Sequence, residues 1–286
     1  MFWEIMSIQN FIDTVEMPWV LFPCVWFLST LWGSFSGVIV WRVPVIFKDT
    51  RTQWAVGRVE TTLFGRSHCD HCGTTLNFID LIPVFGWLIR RGRCRACGIH
   101  ISPLWPGMEC FCGVTGVAIF MLPFSYEDCL VLWILAMGLI LLAWFDDRTE
   151  WLPDTMTFPV MFMGLLFSPI GDYHDRISGL IMGWLIFMIC IVFLCFQRRS
   201  WQYMSWGDII LGGALGAWTG WKGIPVFVLL SVLSCAPYLV FRKHILKDAL
   251  YTQDGKIRIP LGPSMAAGGF LSIIIIRYLG PDFMIS

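Results

Sequence analysis

Long apolar runs alternate with short polar connections along this chain. Runs of about 17 to 25 residues, the length that crosses a bilayer as a helix, predict spans at 18–40, 104–124, 129–145, 155–170, 177–196, 205–221, 223–241 and 260–280. Two of the eight depart from a simple span. The stretch 155–170 is short and holds Pro159 and Pro169, and 205–221 is interrupted by Trp206-Gly207-Asp208, so each is expected as a tilted or broken helix. The longest polar stretch, about 42–103, separates the first two spans.

Composition agrees with this pattern. The 286 residues are 57% hydrophobic and 14% charged, with mean hydropathy +0.69, whereas a soluble domain keeps about a quarter of its residues charged. The expected fold class is an all-α polytopic membrane protein of about eight helices, with a cytoplasmic insert after the first. Its constant partner is the lipid bilayer. Net charge is zero, which gives no reason to expect a nucleic-acid partner. Residues 1–19 contain Glu4, Asp13 and Glu16 but no Lys or Arg, unlike a secretory leader, so the first span is expected to be retained.

Charge placement orients the helices. With the N-terminus outside, the inward segments 42–103, 146–154, 197–208 and 242–258 hold 17 of the 20 Lys and Arg, leaving Arg176, Lys222 and Arg277 outside. The positive-inside rule selects this arrangement. The chain divides accordingly into 1–41 (outer N-terminus and first span), 42–103 (cytoplasmic insert) and 104–286 (membrane core).

The insert carries Cys69-Asp70-His71-Cys72-Gly73 and Cys94-Arg95-Ala96-Cys97-Gly98, with 21 residues between the pairs. Two Cys-x2-Cys pairs match a four-thiolate zinc site, and a Gly after each second Cys permits the tight positive-φ turn that curls the chain around a metal. Two disulfides are the competing reading, which a reducing cytoplasm disfavours. His68, His71 and His100 stand nearby as substitutes, but Cys69, Cys72, Cys94 and Cys97 already complete a closed, structural tetrahedron.

Acidic residues within or beside the spans are few, and a carboxylate in hydrocarbon demands a reason. Asp146 closes the third span and Asp208 opens the sixth, so the opposed directions of those helices bring both to the cytoplasmic boundary across 62 positions. Two close carboxylates share one proton, leaving one as base and one as acid, a pair that activates water and protonates an amide. Alone, each Asp reads more readily as an interfacial cap or a partner for Arg148, Arg198 or Arg199, and it is the surrounding motifs that reverse this order. Glu109, after Pro103 and Pro106, reads as a partner for a buried basic or amide group, and Gly212, Gly216 and Gly220 as a close-packing stripe.

Taken together, these motifs resemble the type IV prepilin peptidases, the bifunctional leader peptidases and N-methyltransferases of type IV pilus and type II secretion systems. The resemblance spans about residues 33–268. It rests on Gly33-Ser34-Phe35 through Val38-Ile39-Val40-Trp41-Arg42-Val43-Pro44, the two Cys pairs, Asp146 with Leu152-Pro153-Asp154, Gly207-Asp208 with Leu215-Gly216-Ala217-Trp218, Leu261-Gly262-Pro263, and Ala266-Ala267-Gly268. It implies that Asp146 and Asp208 are the catalytic pair, Asp146 being preferred to Asp147 for its eight-residue offset from Asp154. It also implies cleavage of short basic leaders from prepilins or pseudopilins after a Gly and commonly before a Phe, with methylation of the new amino terminus from S-adenosylmethionine. The setting implied is the bacterial inner membrane, with the pilus or secretion assembly machinery as a further partner. The chain departs from the family pattern at Gly37 (usually Asn), Ser205 (usually Gly) and Ile210 (usually Lys). No soluble strand, Gly-rich turn and helix unit marks a site for the methyl donor.

Overall fold

The computed structural model describes residues 18–49, 65–69, 71–198, 206–244 and 260–280. The N-terminal acidic segment, Ser205 and most of the basic segment 242–258 lie outside the described residues. Helices α1 (Pro18–Asp49), α2 (Phe85–Ile89), α3 (Leu104–Phe120), α4 (Tyr126–Thr149), α5 (Asp154–Phe167), α6 (Tyr173–Arg198), α7 (Trp206–His244) and α8 (Gly262–Leu279) follow in order, with a 3-10 turn at Phe78–Leu81 ahead of α2. No strand occurs among the described residues, only two isolated bridges in the cysteine insert.

Each apolar run becomes a helix because, in lipid, a helix satisfies every backbone polar group within its own segment. The runs 205–221 and 223–241 join in α7, which breaks at Gly220, where φ 68 and ψ 167 lie outside the helical region. That conformation is open to glycine and strained for other residues. Among the described residues, four helices are long and apolar enough to cross a membrane, within α1, α4, α7 and α8, and α3 and α5 are shorter apolar helices.

The chain forms two compact units, 1–133 and 134–286, whose boundary falls inside α4. In the first, α1 packs on α3. Gly33 sits against Glu109 and Cys112, Gly113 against Trp26 and Thr30, and Gly116 against Ser29, so small residues let the two backbones approach as membrane helices require. Trp133 Nε1 donates to Ser29 Oγ at 2.8 Å.

In the second unit α7 is the hub, in contact with α5, α6 and α8. A Cβ added to Gly179 or Gly183 of α6 would run into the backbone carbonyls of Gly216 and Gly212, and one at Gly216 would meet the carbonyl of Gly179. The glycine stripe on α7 is therefore half of a reciprocal close contact, the other half being Gly179 and Gly183. Trp218 is fully buried, donates Nε1–H to the Val160 carbonyl at 2.8 Å and lies over Gly164 of α5. The α8 glycines serve the same end, Gly268 against Ser231 and Gly269 against Leu215.

Candidate active site and candidate metal centre

In the first unit the four cysteine sulfurs lie within 4.8 Å of one another. Cys69 Sγ is 3.9 Å from Cys97 Sγ and Cys72 Sγ 3.9 Å from Cys94 Sγ. Two short repeats build the cluster. In one, Gly73 N–H donates to the Cys69 carbonyl (2.9 Å), Cys69 N–H to the Thr74 carbonyl (2.9 Å), and His68 bridges Thr75; in the other, Gly98 N–H donates to the Cys94 carbonyl (3.0 Å), Cys94 N–H to the Ile99 carbonyl (2.9 Å), and Arg93 bridges His100. Gly73 and Gly98 take φ 69 and 70, the left-handed conformation expected from their place after each second Cys.

The Thr74 hydroxyl and backbone beside Cys72 pull its thiol down to about 6. At Cys97 the Ile99 backbone lowers the thiol, but burial and the neighbouring sulfurs outweigh it and push it up to about 11. Four sulfurs this close hold several negative charges only around a cation, and soft thiolates in this number suit a soft or borderline metal. His68 and His100 turn their Nδ1 toward the Arg66 and Ile101 carbonyls (3.1 and 3.3 Å). The ligand group contains cysteine alone.

Also in this unit, Glu109 accepts the Val84 N–H on Oε2 at 2.6 Å, the amide partner anticipated for it. Val84 has φ 62.

In the second unit Asp146 is 4% and Asp208 7% exposed. Asp208 lies in the first turn of α7. Asp146 Oδ2 accepts the Gly262 N–H at 2.8 Å, at the first residue of α8. Each carboxylate thus meets a helix N-terminus, which offers unpaired N–H groups and the positive end of the helix dipole. Among the carboxylates around Asp146, Asp208 acts on it most strongly, ahead of its chain neighbours Asp147 and Glu150. The fold brings together two acids that lie 62 positions apart.

The choice between Asp146 and Asp147 has a geometric counterpart. Asp147 turns to another partner, accepting a short hydrogen bond from the Tyr238 hydroxyl, while Asp146 faces Gly262. Glycines make this geometry possible. A Cβ at Gly262 would stand 2.6 Å from Asp146 Oδ2, and one at Gly207 would stand 2.6 Å from the Leu152 Cβ and 2.7 Å from its carbonyl oxygen. Leu152 is buried against Gly207, so the Leu152-Pro153-Asp154 segment braces the turn that presents Asp208. Asp154 itself is exposed and opens α5. Sequence reasoning placed Leu261-Gly262-Pro263 in the last helix but did not anticipate that Gly262 bonds Asp146, nor the role of Tyr238. The one local sign is a glycine directly before Pro263 at a helix start, which admits a close neighbour without identifying it.

A model of the type IV leader peptidase family matches residues 133–240, and one of the bacterial peptidase A24 N-terminal domain matches residues 27–122. A prepilin leader peptidase/N-methyltransferase of Pectobacterium carotovorum subsp. carotovorum is 30% identical over 275 residues, covering 89% of this chain and 95% of its own. The chain belongs to the type IV leader peptidase family. A prepilin leader peptidase/N-methyltransferase of Aeromonas hydrophila is 29% identical over 276 residues, 90% of this chain and 92% of its own. A type 4 prepilin-like proteins leader peptide-processing enzyme of Escherichia coli O78:H11 is 28% identical over 258 residues, 85% and 90% of the two chains. No solved structure matches the chain.

Proposed function

We propose that this protein is a membrane aspartic endopeptidase that removes the short basic leader from type IV prepilins or type II secretion pseudopilins and methylates the amino terminus so exposed. Family membership supports the activity and the substrate class. The observation that carries the chemistry is the pair of buried carboxylates, Asp146 and Asp208, each at a helix N-terminus and near enough for the charge of one to act on the other.

In this reading one carboxylate takes a proton from water as the water oxygen bonds to the carbonyl carbon of the scissile peptide. The protonated partner gives its proton to the amide nitrogen as the C–N bond breaks. Gly262 N–H holds Asp146 in place throughout. Both residues stand at helix ends that the placement of Lys and Arg favours on the cytoplasmic side, and family membership supports the inner membrane as the setting. A basic leader therefore stays in the cytoplasm while the apolar stem lies in lipid, and the junction falls at the depth of the acids.

Cys69, Cys72, Cys94 and Cys97 suit Zn2+, offering four thiolates that would fill its tetrahedron, so a bound ion would cross-link the two loops and take no part in the chemistry. S-adenosylmethionine is the methyl donor that the relatives' names imply. The described residues hold no strand, hence no strand, Gly-rich turn and helix unit, and no residue is assigned to methyl transfer.

Purified protein in detergent, incubated with a full-length prepilin and S-adenosylmethionine, should yield a product that mass spectrometry finds cut after a Gly and carrying one methyl group. Asp146→Asn and Asp208→Asn should each leave the prepilin intact while the variants keep their helical content. Normal cleavage by both variants overturns the assignment.

A further inference from the structure

Between the two cysteine pairs the chain leaves the sulfur cluster. Residues 78–89, which form the 3-10 turn and α2, expose Phe78 (82%), Ile79, Leu81, Phe85, Leu88 and Ile89. A patch this apolar on a loop marks a surface that something covers.

Its depth identifies what covers it. The antiparallel pair α1 and α3 forms a ladder of contacts, with Trp41 beside Trp105 (ring centroids 5.7 Å apart), then Gly33 against Glu109, then Trp26 against Gly113. The loop enters at the Trp41–Trp105 end, since α3 begins at Leu104. Yet the Phe85 ring packs edge-on against Trp26, centroids 6.1 Å apart, and the Val84 N–H reaches Glu109 at 2.6 Å. Trp26 lies 15 positions before Trp41, about 22 Å along a helix at 1.5 Å per residue. Its partner Gly113 is midway along α3, and Val20–Val43 is the apolar span of α1. The tip therefore stands well inside a hydrocarbon layer about 30 Å thick.

The segment is built for such a place, where unpaired polar groups are costly. The N–H groups of Asp80, Ile82, Phe85, Gly86 and Leu88 donate to the carbonyls of Asn77, Ile79, Pro83, Ile82 and Val84. Asp80 Oδ1 pairs with Arg90 Nε at 2.6 Å and Oδ2 accepts the Asn77 N–H at 3.0 Å, tying together the two ends of the hairpin. Gly86 lets the turn close, because a Cβ there would stand 2.6 Å from the Asp80 carbonyl oxygen. Arg91, Arg93 and Arg95 follow at the exit, where cations meet anionic headgroups.

We propose that residues 77–90 form a re-entrant hairpin whose exposed apolar side is covered by acyl chains of the membrane that α1 and α3 cross. The insert is then two parts, a metal module at the surface and a lipid-embedded finger. This assignment stands independently of the aspartate chemistry.

The test uses the full chain in phospholipid vesicles, with the photoreactive p-benzoylphenylalanine replacing Phe78 or Leu88 and, as controls, Thr74 in the metal module and Phe162 on α5. Irradiation should give phospholipid adducts at Phe78, Leu88 and Phe162 but not at Thr74. Adducts at Phe162 with none at Phe78 or Leu88 overturn the proposal, as does exclusive crosslinking of those two positions to a co-reconstituted prepilin. Amide exchange gives a second readout, with residues 78–89 expected to exchange at least about tenfold more slowly in vesicles than residues 74–76. Equal rates contradict the proposal. Glu109→Ala, which frees the Val84 N–H, should reduce both signals while helical content persists.

Discussion

The cysteine cluster and the aspartate pair are assembled in opposite ways. Each half of the cluster is a short loop that closes its own backbone hydrogen bonds, and only the joining of the halves spans a distance in sequence. The aspartate pair has no local scaffold. Asp146 and Asp208 sit on different helices and depend on a third, α8, for the Gly262 contact, and on glycines that allow α5, α6, α7 and α8 to approach. With a metal bound as proposed, the ion would supply in one region the convergence that helix packing supplies in the other. The cluster should therefore yield to removal of its ion, and the aspartates to any atom added between helices.

That contrast can be broken at several points. The largest effect is expected at Gly262→Val, whose side chain would enter the space of Asp146. Cleavage of a prepilin should fall about a hundredfold or more, as displacement of a catalytic group by an ångström does, and a rate near that of the parent would show that α8 does not position Asp146. Next comes Cys94→Ser. Elemental analysis should find one metal per parent chain and none in the variant, while cleavage stays within about tenfold of the parent, because a closed site is structural. Complete loss of cleavage in a folded variant would erase the distinction between the two regions.

Gly179→Leu should act through packing alone. Inserting a large side chain against the Gly216 carbonyl should cost about 1–3 kcal/mol, read as a lower thermal midpoint in detergent, with metal content unchanged. The smallest effect is expected at Tyr238→Phe, which removes the hydroxyl bonded to Asp147. About 1 kcal/mol of stability and less than a threefold change in cleavage are expected, whereas a loss as large as that from Asp146→Asn would move the catalytic role toward Asp147.

The sequence exposed these features unequally. The cysteines were legible because metal-ligand spacing is local, and the two aspartates because carboxylates are conspicuous beside apolar runs. The break in α7 at Gly220 lay where two predicted spans met. The Gly262 contact was hidden because its partner lies 116 positions away in sequence, and nothing in the α8 pattern distinguishes a glycine that packs from one that also donates. Gly179 and Gly183 escaped notice for the same reason, although the stripe they face was visible. The hairpin was read within a polar loop because its apolar residues are interrupted by Asp80, Pro83 and Gly86 and fall short of a spanning length. The Phe85–Trp26 and Val84–Glu109 contacts reveal its depth.

The most direct test of the two-carboxylate site is the rate of prepilin cleavage by Asp146→Asn, Asp208→Asn and the double variant, all shown folded and loaded with metal. If the two acids act as one proton-sharing unit, each single substitution lowers the rate by about a thousandfold or more and the double variant is no slower than either single one. Cleavage at the parental rate by either single variant, or losses that multiply in the double variant, would contradict the shared site.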